Sequence, residues 1–231
     1  MPDLIALASF LDTLLETNTY LPPEDTLYRH SVRPVARLGL AVEADFDVQA
    51  WVQAHALDAV FLHRPWKIDR QPLPPDIGVL RARLPFDDHL TLGVNPRLAS
   101  ALGLVDWQPF GSKAGRPLGM LGHVAETPFD TLRHTLEDIF GGLDYFHTGR
   151  SDTITTVAIV NAMTDASVRG AAACGAQVYV TGQARIPARA AVVETGIGLA
   201  AVGHARCEQW GLRALAGLLR ERWAALEVVV H

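Results

Sequence analysis

Four residues of this chain pair ligand chemistry with a distinctive position: His63, Asp87, His204 and Glu208. Imidazole nitrogens and carboxylate oxygens are first-choice donors for a divalent ion. His63 follows the apolar run ending at Leu62, and Pro65 breaks that run. Asp87 follows a run ending near Leu84, and His204 follows one ending at Val202, after Gly203. Short apolar runs of this kind read as buried strands. In open α/β sheets, ligands gather outside the carboxyl ends of strands. Glu208 lies four residues after His204, so a helix starting near His204 puts both on one face. A carboxylate with two oxygens can also bridge two ions. Each element alone has an ordinary explanation. A histidine at a strand end is commonly a hydrogen-bonded structural residue, and His-x-x-x-Glu arises by chance at solvated helix starts. The weight lies in several such ends carrying ligand types together.

The elements that must position these residues follow from periodicity. Leu4, Leu7, Leu11, Leu14 and Leu15 recur at helical spacing, which predicts a first amphipathic helix. Tyr20 to Pro34 reads as a loop or extended arm. Strands are expected at 38–42, 59–62 and 77–84, with a helix over 46–57 and a short one over 96–104. The stretch 107–122 is rich in Gly and Pro and reads as loops and hairpins. A helix over 131–140 closes at Gly141-Gly142. Strands at 156–160, 178–180, 197–202 and 227–230 then alternate with helices over 166–174, 187–194 and 207–223. Such alternation predicts an α/β fold with mixed sheets. Val42 and Val160, Asp47 and Asp165, Val60 and Val178, and Gly78 and Gly196 are each 118 residues apart. The fold is therefore expected to be two duplicated, intertwined halves, 1–106 and 151–231, joined by a less regular connection, 107–150.

Bulk properties exclude several classes. The 231 residues are 49% hydrophobic, enough for a sizeable core. A formal charge of −5 gives no broad basic surface, so nucleic acid is not indicated. No apolar run approaches the roughly 20 residues that span a bilayer, so no membrane partner is expected. The N-terminus lacks the pattern of a secretory signal. Cys174 and Cys207 form no disulfide framework, and a cytoplasmic location is expected. Neither a Walker loop nor a dinucleotide fingerprint is present.

Several segments together are similar to a known family. They are Leu84-Pro85-Phe86-Asp87 with Leu92-Gly93-Val94-Asn95, Leu98-Ala99 and Leu102-Gly103-Leu104; Gly175 to Gly182, ending in Thr181-Gly182; and Gly203-His204-Ala205-Arg206-Cys207-Glu208. They resemble the Nif-three-like dinuclear-metal proteins, often labelled type-two GTP cyclohydrolase homologues. The resemblance covers most of 35–231. It implies metal bound between two α/β halves, with His63, Asp87, His204 and Glu208 as ligands. It also implies a closed homo-oligomer, commonly a hexamer made from dimers. Two features depart from the family pattern. A His-His pair is expected after the second strand, where this chain reads His63-Arg64, and an Asn-Gly-Leu-Gln stretch is not apparent between Tyr20 and Pro34. A guanidinium cannot ligate a metal and opposes a nearby cation. One tight divalent ion per chain (Zn, Fe or Mn) with a doubtful second site is therefore expected. His89, Asp88, His30 and Cys207 are lesser ligand candidates, and Thr181-Gly182 is a candidate hydrogen-bonding partner for the ligands.

Two functions remain open on the sequence. One is a metal-dependent hydrolase of a small anionic substrate, in which Glu208 or Asp87 orients water and Arg64 holds the anion. The other is a non-catalytic metal-binding or regulatory module. A purely structural scaffold is a weaker third.

Overall fold

The computed structural model describes residues 1–231. In chain order the elements are α1 (Leu4–Leu14), β1 (Leu27–Arg29), β2 (Arg37–Glu43), α2 (Val48–Ala54), β3 (Ala59–Arg64), β4 (Gly78–Arg81) and α3 (Leu84–Leu90). Then come α4 (Pro96–Ala101), β5 (Val105–Lys113), β6 (Arg116–Pro128), α5 (Phe129–Phe140), β7 (Tyr145–His147) and β8 (Thr153–Val160). Last are α6 (Asp165–Ala173), β9 (Val178–Thr181), α7 (Arg189–Thr195), β10 (Gly198–Ala201), α8 (His204–Arg222) and β11 (Glu227–Val230). The fold is α/β with two mixed sheets and eight helices. No helix is long and apolar enough to cross a membrane.

One compact unit comprises Met1–Phe86 and Gly211–His231, so it is built from both ends of the chain. Its sheet has the order β1-β4-β3-β2-β11. All pairs are parallel except β1 with β4. Parallel central strands are covered on both faces, which is why β3 reads as an unbroken apolar run before its histidine; Ala59 through His63 are all buried. Val60, Leu62 and Val79 pack with Val48, Trp51 and Val52 of α2. Asp3 caps α1, which buries Leu4, Leu7 and Leu11.

The other unit is Asp87–Trp210, with a sheet of order β5-β6-β8-β9-β10-β7. Here β8, β9 and β10 are parallel. Alternate residues serve its two faces, as the strand period of two demands. Val157, Ile159, Val178 and Val180 join α5 residues Leu132 and Leu136 in one cluster. Ala158, Val160, Tyr179 and Leu199 join Val168 and Ala171 of α6 and Val192 of α7 in the other.

The duplicated pattern survives in the pairing. Leu38 faces Ala59 and Val157 faces Val178, each partner 21 residues on. The third strands differ by one residue: Ala59 faces Gly78, and Val178 faces Gly198. A full helix, α7, precedes β10, whereas only a 3-10 turn, Ile68–Arg70, lies between β3 and β4.

Three boundaries differ from the sequence reading. The strand expected at 77–84 stops at Arg81, and Leu84 already begins α3. Pro85 suits a first helical turn, where its missing N–H is no loss. The Glu24 carboxylate accepts from the Arg83 and Leu84 N–H groups, an end cap supplied by the arm. Helix α8 starts at His204 rather than Cys207. The stretch 107–150, expected to be less regular, carries the long hairpin β5-β6, then α5 and β7. Ala114 and Gly115, both with positive φ (51° and 79°), form the turn. Positive φ at both central residues marks the tight hairpin turn that matches strand twist. The strands are largely exposed, so no apolar alternation announces them.

Gly93 follows α3 where the backbone passes tightly. A Cβ there would lie 2.0 Å from the Asp88 carbonyl oxygen, which accepts from Val94 N–H at 2.7 Å. Backbone cannot swing aside as a flexible side chain can. Gly93→Ala is therefore expected to cost about 1–3 kcal/mol, the usual range for overpacking. Urea unfolding would show this as a lower midpoint with an unchanged slope.

Candidate metal centre

His63 ends the buried part of β3 and is itself fully buried. Its Nδ1 lies 2.8 Å from the Ala82 carbonyl oxygen. A carbonyl can only accept, so Nδ1 carries the hydrogen, and in the neutral ring Nε2 presents a lone pair. A backbone acceptor on one ring nitrogen is the usual device for orienting the other toward a metal. The Phe86 ring, with its centroid 4.6 Å away, packs against the imidazole.

Asp87 lies in the first turn of α3, not directly at a strand end. Its main chain is held firmly. Asn161 Nδ2 donates to the Asp87 carbonyl at 2.6 Å. The Thr91 hydroxyl lies 2.7 Å from that carbonyl and 2.9 Å from Asn161 Oδ1. Asn95, one turn further on, donates to the Thr91 carbonyl and accepts from Arg97 and Leu98 N–H, capping α4. Asp87, Thr91 and Asn95 thus form one polar line fastened to the end of β8 by Asn161.

Glu208 is buried in the second turn of α8, with its Oε1 3.2 Å from His204 Nε2. The i,i+4 spacing does bring these two together. The helix can start so abruptly because Gly203 takes φ +97°, where a side chain would be strained and a Cβ would meet Arg206 Nη1 at 2.6 Å. The Gly203 N–H bonds the Gly182 carbonyl, and its own carbonyl takes the Cys207 N–H.

His63, Asp87 and Glu208 each offer one ligand atom, and these atoms lie within 4.8 Å of one another. One imidazole nitrogen and two carboxylates make a donor set that suits Zn, Fe, Mn and related ions. His204 stands outside this group. Its side chain is 65% exposed and reaches the group through Glu208. Arg64 Nε donates to Glu43 Oε1 at 2.7 Å, an ion pair between facing residues of β2 and β3. Of the lesser candidates, Asp88 pairs with Arg116, His89 is half-buried, and His30 is exposed on β1's flank. None of these three joins the group. Thr181 is fully buried at the end of β9, and its hydroxyl has no hydrogen-bond partner.

Sequence reasoning missed Asn161, Thr91 and Glu24. Asn161 was within reach, since it follows β8 at the same kind of strand end that singled out His63 and His204. Thr91 and Glu24 act through backbone atoms of distant residues, which no spacing rule reveals.

A duplicated α/β protein with a compact His-Asp-Glu group is the class that this fold and site define. A family model for Duf34/NIF3 (NGG1p interacting factor 3) matches residues 35–231, and the chain belongs to that family. A Chlamydia pneumoniae protein called a GTP cyclohydrolase 1 type 2 homolog is 25% identical, over 94% of this chain and 93% of that protein. A Deinococcus radiodurans protein of the same description is 28% identical over 67% of this chain, and the match spans 59% of that protein's length. Among solved structures, a Bacillus cereus protein related to NIF3 has a TM-score of 0.75 at 14% identity, covering 100% of this chain and 96% of that one. A Thermus thermophilus protein has the same TM-score, 0.75, at 24% identity, covering 99% of this chain and 97% of that one.

Cys207 sits between His204 and Glu208 in sequence, but its chemistry is that of a packed thiol. Burial pushes its pKa well above the usual thiol range, and the Glu208 and Asp87 charges push the same way. A thiol held protonated is a poor nucleophile and a poor ligand. Cys174 is exposed. A thiol reagent at pH 8 is therefore expected to modify one cysteine per chain quickly, Cys174, and Cys207 only after denaturation. Two fast-reacting thiols in the native protein would contradict the environment assigned to Cys207.

Proposed function

We propose that this chain binds one divalent metal ion tightly through His63 Nε2, Asp87 and Glu208, with His204 beside them, and acts as a metal-dependent hydrolase on a small anionic substrate. The observation carrying this reading is the three ligand atoms gathered within 4.8 Å, with the His63 tautomer set by Ala82. Two ionised carboxylates about 4.8 Å apart repel by roughly 3–4 kcal/mol at an effective dielectric near 20. A divalent cation turns that repulsion into attraction. When bound, such an ion supplies Lewis-acid polarisation of a substrate oxygen. Glu208 is the residue we assign to take the proton from the attacking water. His204, exposed and 3.2 Å from Glu208, offers that proton a route to solvent. Arg64 is first a partner of Glu43 and only second an anion contact. The name borne by the relatives in two bacteria makes nucleoside triphosphates one group of substrates to try. A non-catalytic metal-binding module shares the same site and differs only in turnover.

Elemental analysis of protein purified without chelator is expected to find about one divalent ion per chain. The double variant Asp87→Ala, Glu208→Ala is expected to lose it. Full retention by that variant would rule out the ligand assignment, and two equally tight ions in the native protein would rule out the count. Arg64→His is expected to add affinity for a second ion, read by metal titration after chelator treatment. We further propose a closed homo-oligomer, commonly a hexamer in resemblance to the family. Light scattering at micromolar concentration is expected to give a mass of several chains, and a monomer mass would overturn it.

A further inference from the structure

A cavity of about 220 Å³ opens within the unit Asp87–Trp210, lined by Asn161, Met163, Gly182, Gln183, Arg185 and His204 among others. It lies at the carboxyl ends of β8 and β9, the position where parallel α/β sheets gather ligands. Its lining includes a guanidinium and an imidazole but no carboxylate. Arg185 is exposed and makes no ion pair, although most arginines near it in sequence or space do: Arg169 bonds Asp165 and Glu194, and Arg206 bonds Asp144. Only the backbone of Arg185 is fastened, its N–H lying 3.2 Å from Met163 Sδ. Gln183 offers a second exposed donor two residues earlier, and Gly182 leaves the wall between them bare of side chain. The Asn161 amide is occupied with Asp87 and Thr91, so it shapes the cavity without being free to bind in it.

We propose that this cavity is an oxyanion subsite, in which Arg185 and Gln183 hold a phosphate or carboxylate group of the substrate beside His204. A guanidinium fork matches both groups by paired hydrogen bonds. The volume falls below the roughly 300–1,000 Å³ that encloses a drug-sized ligand. The cavity therefore takes the anionic end of a molecule, and the remainder extends outward. His204 links this place to Glu208, so an anion held there lies next to the candidate metal group. The inference deepens the proposed hydrolase by assigning its anion contact to Arg185, and as a subsite for substrate it rests on that reading.

The test uses chelator-treated full-length protein, with inorganic phosphate and acetate as separate probes, read by calorimetry or by phosphorus and proton NMR. Removing metal first keeps a phosphate–metal contact out of the signal. Native protein is expected to bind at least one probe at millimolar concentration or better. Arg185→Ala is expected to bind it at least tenfold more weakly, the equivalent of about 1.4 kcal/mol. Arg185→Lys should fall between, and Arg133→Ala, on the exposed face of α5, should match the native protein. Phosphate binding alone points to a phosphoryl-bearing substrate, and acetate binding alone to a carboxylate. Binding of neither probe, or equal binding by Arg185→Ala, would overturn the subsite. Metal content is measured separately, so loss of the metal assignment with phosphate binding intact, or the reverse, identifies which reading has failed.

Discussion

A histidine can be fully buried at the end of an apolar strand only if its ring hydrogen meets an acceptor. Leaving one polar group unsatisfied in such a place costs about 1–3 kcal/mol. His63 meets this demand with the Ala82 carbonyl, just beyond the neighbouring strand β4. That single bond does two things. It makes burial of the ring tolerable, and it commits the proton to Nδ1, so the lone pair is presented from Nε2. Strand pairing supplies the rest: β3 and β4 run parallel with Leu62 opposite Arg81, which carries Ala82 alongside His63. Phe86, packed against both Phe61 and the imidazole, fills the remaining side. Orientation of the first ligand is thus a consequence of register, not of any feature of the histidine itself.

The carboxylates are placed by different means. Asp87 is on a short helix, and a seven-residue helix has little stability of its own. It is held at its start by the Glu24 carboxylate, at Asp87 by Asn161 and Thr91, and at its end by the tight passage at Gly93. Glu208 needs less, since α8 is 19 residues long and buries Leu212, Leu215 and Leu219. One ligand is fixed by a net of polar bonds and the other by apolar packing. Changes around α3 therefore act on the site through hydrogen bonds, whereas changes along α8 act through the core.

Much of this is readable in the residues. Continuous apolar runs identify β2, β3 and β9, because a parallel strand covered on both faces must be apolar throughout. The shared 118-residue offset anticipates the common 21-residue pairing of Leu38 with Ala59 and Val157 with Val178. The four-residue spacing of His204 and Glu208 predicts their contact correctly. What fails to show is long-range or exposed. The β5-β6 hairpin carries mostly polar, solvent-facing residues, and its turn depends on positive φ at Ala114, an unusual residue for that conformation. Helix α3 reads in sequence as the end of a strand because its cap, Glu24, lies 60 residues before Leu84. Arg64 reads as a charge facing the metal site, but its register partner is Glu43, and that pairing is visible only once β2 and β3 are aligned.

That last point changes how charge is distributed around the site. A lone guanidinium near His63 opposes any cation there. A guanidinium whose Nε donates to Glu43, with Lys67 Nζ 3.6 Å from the same carboxylate, is already compensated in part. Its field at a short distance is then that of a dipole more than of a charge, and it falls off faster. Arg185 is the opposite case, since it has no carboxylate partner and stands at the mouth of a cavity that has none either. Between two arginines near ligand-type residues, the uncompensated one exerts the larger pull on an incoming anion, and the compensated one spends its donors on holding strands together. Position in sequence favours Arg64, beside His63. Pairing favours Arg185, because electrostatic attraction depends on the charge left over after the nearest partners are counted.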